Sequence, residues 1–106
     1  MPAALTNKIT VLANGDMVYG VSVQHASNGD AITWTCENGP FTLDFTTPSP
    51  LDQGVVQLRS TVQTGINTAQ GTISTSAPKG RYYYGVAVSW GGNVYTDPGC
   101  PEVIIR

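Results

Sequence analysis

His25 is the one histidine of the chain, and histidine is the side chain whose ordinary pKa, about 6.5, suits proton transfer near neutrality. It stands just before the turn sequence Ser27-Asn28-Gly29-Asp30, with no acid or nucleophile beside it, so a surface or turn histidine is the plainer reading. Asp44 together with Asp30 or Glu37 would offer Ca²⁺ several carboxylate oxygens, but calcium loops present them at Asp-x-Asp-x-Asp spacing, and none occurs. Asp44 therefore reads as a solvated carboxylate, and Asp97, followed by Pro98 and Gly99, as part of a turn. The run Tyr82-Tyr83-Tyr84 invites stacking on bases or sugar rings. In a strand, Tyr82 and Tyr84 share one face and Tyr83 takes the other, so at least part of the trio packs inside. Tyr83, Trp90 and Tyr95 remain as candidate contacts for a ligand or partner. No Gly-x-Ser-x-Gly elbow, glycine-rich phosphate loop or Cys-x-x-Cys pair is present. The expectation is a chain with no catalytic residue, no cofactor and no metal site.

The elements that must position these residues are strands. At 106 residues the chain has the length of one domain, taken here as residues 1–106. Charged residues are 11% of it, well below the roughly 25% of an average domain, and neutral polar side chains must cover the surface. Five basic residues against seven acidic ones give a net charge of −2. The basic residues Lys8, Arg59, Lys79, Arg81 and Arg106 are scattered rather than gathered into a stripe, which argues against nucleic acid as a partner. No apolar run approaches the ~20 residues of a membrane span. MPAALTNKITV lacks the pattern of a signal peptide, so the chain reads as soluble with its compartment open.

Turn signals cut the sequence at short intervals. Asn14-Gly15-Asp16 separates LTNKITVL from MVYGVSVQ as a hairpin would, because Asn and Gly tolerate positive φ. AITWTC and FTLDF alternate with period two, placing Ile32 with Trp34, and Phe41 with Leu43 and Phe45, on buried faces. Pro48 and Pro50 end the second of these runs. Residues 54–62 and 72–77 read as strands with the intervening TGINTAQG as a connection. RYYYGVAVSW is the strongest strand by composition, Gly91-Gly92 turns it into NVYTD, and PEVIIR closes the chain. The expected fold class is all-β: an antiparallel Greek-key β-sandwich of seven to eight strands, with an alternation that immunoglobulin-like sandwiches share.

GDAITWTCENGPFTLDF and GRYYYGVAV resemble the cupredoxin family. In its pattern Gly-Asp precedes a strand carrying an aromatic residue, a short loop then delivers a histidine, and a later Gly-x-Tyr-x-aromatic strand leads to the copper cysteine. The resemblance runs from about Ile9 to Ile105, and the ending YTDPGCPEVIIR is similar to small copper-free bacterial members. It implies that Phe41 stands at the place of the first histidine and Val86 near that of the cysteine, while Ser89, Trp90, Gly91 and Gly92 follow where further ligands would lie. A blue-copper centre needs a thiolate and two imidazoles, so the resemblance implies a protein without copper. It also implies that Cys36, ending its strand, and Cys100, preceding the last, share one pole and form a disulfide. The alternative is two separate buried thiols. A bridge would point to an extracytoplasmic location. The function expected is a non-catalytic binding or structural module recognising another protein, or a second copy of itself, through loops or a sheet face. The alternatives are a carbohydrate or small-ligand binder using the aromatic residues, and an enzyme whose site is assembled from distant loops.

Overall fold

The structure is a computed structural model and describes residues 2–46, 48–98 and 101–106. Eleven strands follow in order: β1 (Ala4–Val11), β2 (Met17–Tyr19), β3 (Val23–Ala26), β4 (Ala31–Cys36), β5 (Phe41–Phe45), β6 (Gln57–Arg59), β7 (Thr61–Gln63), β8 (Ile66–Thr72), β9 (Gly80–Trp90), β10 (Asn93–Asp97) and β11 (Glu102–Ile105). One sheet has the order β2-β1-β4-β8-β7. The other has the order β3-β11-β9-β5-β6, with β10 also paired to β9.

The all-β class and the two-sheet sandwich are as the sequence implies, but both sheets are mixed. β1 runs parallel to β4, with Leu5 facing Ile32, and β11 runs parallel to β3, with Ile104 facing His25. The strand count also exceeds the expected seven to eight, because two expected strands each divide between the sheets. MVYGVSVQ gives β2 to one sheet and β3 to the other, crossing at Gly20–Ser22, and residues 54–62 give β6 and β7 on either side of Ser60. Changing sheets lets one segment cover the side of the sandwich without leaving a long edge open.

TGINTAQG supplies most of β8, a strand interior to its sheet rather than a connection. Its low β-propensity has a packing cause. A Cβ added at Gly71 would lie 3.0 Å from a methyl of Leu51 and 3.1 Å from one of Leu58, so the leucines fill the space that a larger β8 side chain would take. Residues 72–77, expected as a strand, keep only Thr72 at the end of β8 and an isolated Ile73–Leu51 bridge, and then turn.

The core lies between the sheets and is organised by three aromatic residues. Trp34 on β4 meets Phe45 on β5 and Tyr84 on β9 edge-on, with ring centres 6.0 and 5.7 Å apart, while Phe45 and Tyr84 stack at 5.0 Å. Edge-to-face pairs place the positive rim of one ring on the negative face of another. The indole N–H of Trp34 donates to the Tyr84 hydroxyl at 3.2 Å, so neither buried polar atom is stranded. Burial pushes the Tyr84 phenol up to about 12; the Trp34 donor opposes this and the nearby Asp97 charge adds to it.

Asp30 secures the end of the sandwich where β4 begins. Its carboxylate accepts hydrogen bonds from the Ala3 and Ser27 backbone N–H groups, each at 2.8 Å. These bonds, Ala3 first, hold its carboxyl below the usual carboxylate range against the opposing effect of burial. A depressed folded-state pKa contributes stability that is present above the unfolded value, about 3.9, and is lost as pH falls through the folded value. Asp30→Asn sets an amide donor against one of these N–H groups and is expected to cost about 1–3 kcal/mol at neutral pH. It should also flatten the acid limb of the urea midpoint between about pH 5 and 2. A variant as acid-sensitive as the parent would remove Asp30 from this role.

Candidate functional site

Strand β9 organises the face with the most unusual composition. Its inward residues Tyr84, Val86 and Val88 are buried, so Gly85, Ala87 and Ser89 point out of the sandwich. Three small residues in a row leave a trough where a sheet's outer face would ordinarily carry larger polar side chains. β5 forms one wall, with Thr42 opposite Ala87 and Asp44 opposite Gly85. β10 forms the other, with Val94 opposite Ser89 and Thr96 opposite Ala87. Two adjoining hollows result, of about 310 and 410 Å³, and Ala87 lines both.

Gly85 has a structural cause of its own. An added Cβ would come within 3.3 Å of the carbonyl oxygens of both Asp97 and Pro98, so the chain leaving β10 passes closely over it. The β5 wall continues onto β6 as a fixed polar rim: Gln57 donates through Nε2 to Asp44 Oδ1 at 2.8 Å, and Arg59 Nε donates to Gln57 Oε1 at 3.3 Å. Asp44 thus faces outward, as the alternation in FTLDF requires. Val94 is 67% exposed on the opposite wall. The hairpin carrying it turns through Gly91 and Gly92, both at positive φ, which suits a two-residue connection matched to strand twist.

The candidate residues read from sequence are not all brought together. Trp90 and Tyr95 are paired, with ring centres 5.8 Å apart, on the inward side of the β9–β10 hairpin, where Tyr95 also lies against Gly15. Tyr83 is 43% exposed but faces outward, seven residues along β9 from Trp90, a separation of roughly 23 Å at strand rise. Trp34 and Tyr84 belong to the core. His25 accepts from Arg106 Nε at 3.3 Å. The three carboxylates weighed for calcium are dispersed: Asp30 serves backbone N–H groups, Glu37 lies 3.3 Å from the Lys8 ammonium, and Asp44 holds Gln57. Cys36 is a buried free thiol whose Sγ lies 3.9 Å from Asn38 Oδ1. Its expected partner Cys100 lies outside the described residues.

The outward row Gly85, Ala87, Ser89 matches no motif or turn signal. Its signal is plain in Tyr84-Gly85-Val86-Ala87-Val88-Ser89-Trp90, where every second residue is small.

Comparison with solved structures places this architecture. The chain is similar to a copper(I) form of a methionine-to-alanine mutant of amicyanin, with TM-score 0.55 and 16% identity over 97% of this chain and 82% of that one. It is similar to an oxidised form of a proline-to-glycine mutant at TM-score 0.54 and 16% identity, and to a reduced copper(I) form at pH 4 of another such mutant at 0.52 and 15%, with the same coverage. No family model and no curated protein matches the chain. The fold is cupredoxin-like.

The residues present do not fit the copper that this fold implies. Phe41 and Val86 are both buried among apolar neighbours, and among the described residues no three of His, Cys, Asp and Glu come together. The chain is thus a cupredoxin-like sandwich without the ligand set of a blue-copper centre. Adding Cu²⁺ to the purified protein is expected to give no intense blue thiolate band. A strong visible band at stoichiometric copper would overturn the placement of Phe41 and Val86.

Proposed function

We propose that this chain is a non-catalytic binding module that recognises another protein through the outer face formed by β5, β9 and β10. The observation that carries this reading is the small-residue trough over Ala87 and Ser89, closed at its Gly85 end by the chain leaving β10 and walled by a fixed polar rim on one side and by Val94 and Thr96 on the other. A trough of this kind accepts side chains of a partner while the rim supplies hydrogen bonds in register, the combination found in apolar interface centres with polar margins. Catalysis has less support, since His25 is matched with Arg106 rather than with a carboxylate. Among the described residues no helix is long and apolar enough to cross a membrane, which bears on neither partner nor compartment.

A photo-crosslinking side chain at Ser89 should capture a partner in the source cells, and one at Gln63, on the far edge of the other sheet, should not. Ala87→Arg, which fills the trough from outside, should abolish the capture. Equal capture from both positions, or capture insensitive to Ala87→Arg, would sink the reading. The second reading, carbohydrate binding, draws on the Trp90–Tyr95 pair alone. It predicts glycan binding that Trp90→Ala removes and Ala87→Arg leaves intact.

A further inference from the structure

Strand β10 has one edge on β9, and no described strand pairs with its other edge. It is five residues long, while the other edge strands β2, β6 and β7 have three residues and β3 has four. Short edges blunt strand pairing, as do charged side chains, and β6 carries Arg59. Residues 93–97 contain no Lys, Arg or Pro, and their one charged side chain, Asp97 at the end of the strand, accepts from the Tyr19 hydroxyl at 2.8 Å.

The hairpin geometry fixes which groups this edge offers. In a two-residue connection the flanking pair, here Trp90 and Asn93, exchanges both hydrogen bonds, and the pattern then alternates. Asn93, Tyr95 and Asp97 therefore direct their backbone groups to β9, whereas Val94 and Thr96 direct theirs away from it. The orientation along β9 agrees: Ser89 N donates toward β5 at Pro40 O, and Tyr84 N donates at Pro101 O on the side where β10 and β11 lie. Beside the open edge is a hollow of about 440 Å³ lined by Leu12, Met17, Val18 and Thr96 among others. Leu12 and Val18 are 42% and 47% exposed, and with Val94 they border the edge with apolar surface.

We infer that this edge pairs with the same edge of a second copy of this chain, β10 against β10 about a twofold axis at Tyr95. The sequence of the strand is complementary to itself in that register. Val94 stands opposite Thr96 of the copy and exchanges two hydrogen bonds with it, and Thr96 does the same with Val94, giving four in all. Asn93 falls opposite Asp97, so no like charges face one another, and Tyr95 falls opposite Tyr95. Pairing joins the two six-stranded sheets into one and covers Val94. The inference rests on the reading of the chain as a protein-recognition module and names one partner for its β9–β10 hairpin.

Sedimentation velocity of the intact chain tests it. The weight-average mass should rise from 11.2 kDa toward twice that value as concentration increases from about 10 µM to about 1 mM, the range of a small strand-addition interface. Over the same range the amides of Val94 and Thr96 should slow in hydrogen exchange by about tenfold or more, while edge amides of β7 stay fast. Val94→Lys places a charge on the open edge, and Thr96→Pro removes an N–H that β9 does not use; each should hold the protein monomeric with unchanged near-ultraviolet dichroism. A mass constant at the monomer value, or a dimer that persists in both variants, overturns the inference. A monomeric protein whose Ser89 crosslink still depends on Ala87 would leave the broader reading standing.

Discussion

Phe41→Ala is expected to lower stability by about 3–5 kcal/mol, the usual cost of emptying a buried aromatic position. Phe41 is 3% exposed, pairs in register with Val88, and begins a strand whose next inward residues are Leu43 and Phe45. Its backbone is held on the other side by Ser60, whose Oγ accepts from the Phe41 N–H at 2.8 Å and whose N–H donates to the Phe41 carbonyl at 2.9 Å. Because both neighbours are fixed, the site cannot collapse around an alanine, and the cavity cost adds to the lost transfer energy. Phe41→His is expected to be destabilising as well, since it buries an imidazole among apolar side chains, and to give no blue copper form, since Val86 supplies no thiolate. Urea unfolding checks both. A loss below about 1 kcal/mol for Phe41→Ala would mean that the ring packs on nothing, and Phe41 would become a candidate contact residue instead.

What was legible in the sequence is what period two and turn chemistry encode. FTLDF and AITWTC carry their inward faces in their alternation, and Asn14-Gly15 and Gly91-Gly92 carry their hairpins in residues that accept positive φ. Pairing partners are not encoded in this way. Nothing local in ALTNKITV says that it lies parallel to β4 and antiparallel to β2, because a strand with one buried face looks the same beside either neighbour. β8 carries no strand signal of its own because its inward positions are Ala69 and Gly71, and their smallness answers to Leu51 and Leu58, residues distant in sequence. The aromatic patch failed as a unit for a related reason. Tyr83 and Trp90 lie on one strand but differ in parity, so no patch could hold both. The trough over Ala87 was legible, but it required reading small residues as a shape rather than as gaps in a hydrophobic pattern.

The position of that trough depends on a contact that one methyl group would break. Residues 37–40 link β4 to β5 and pass so close to the end of β9 that a Cβ built on Gly39 would run into the carbonyl oxygen of Ser89. The obstacle is backbone, so no side-chain rotation relieves it. Gly39→Ala must lift the loop from β9, which strains the hydrogen bond from Ser89 N to Pro40 O, now 2.9 Å, at the same time. Overpacking alone costs about 1–3 kcal/mol, and an unsatisfied backbone pair adds a comparable amount, so a loss of about 3 kcal/mol or more is expected in urea unfolding. The same change should quicken hydrogen exchange at Ser89 and alter Trp90 fluorescence, because the β9–β10 hairpin begins where the loop lets go. A binding face built on that hairpin should therefore weaken in step with the exchange rate at Ser89. Stability within about 0.5 kcal/mol of the parent, with Ser89 still protected, would show that the loop has room to spare and that the hairpin is held by β5 alone.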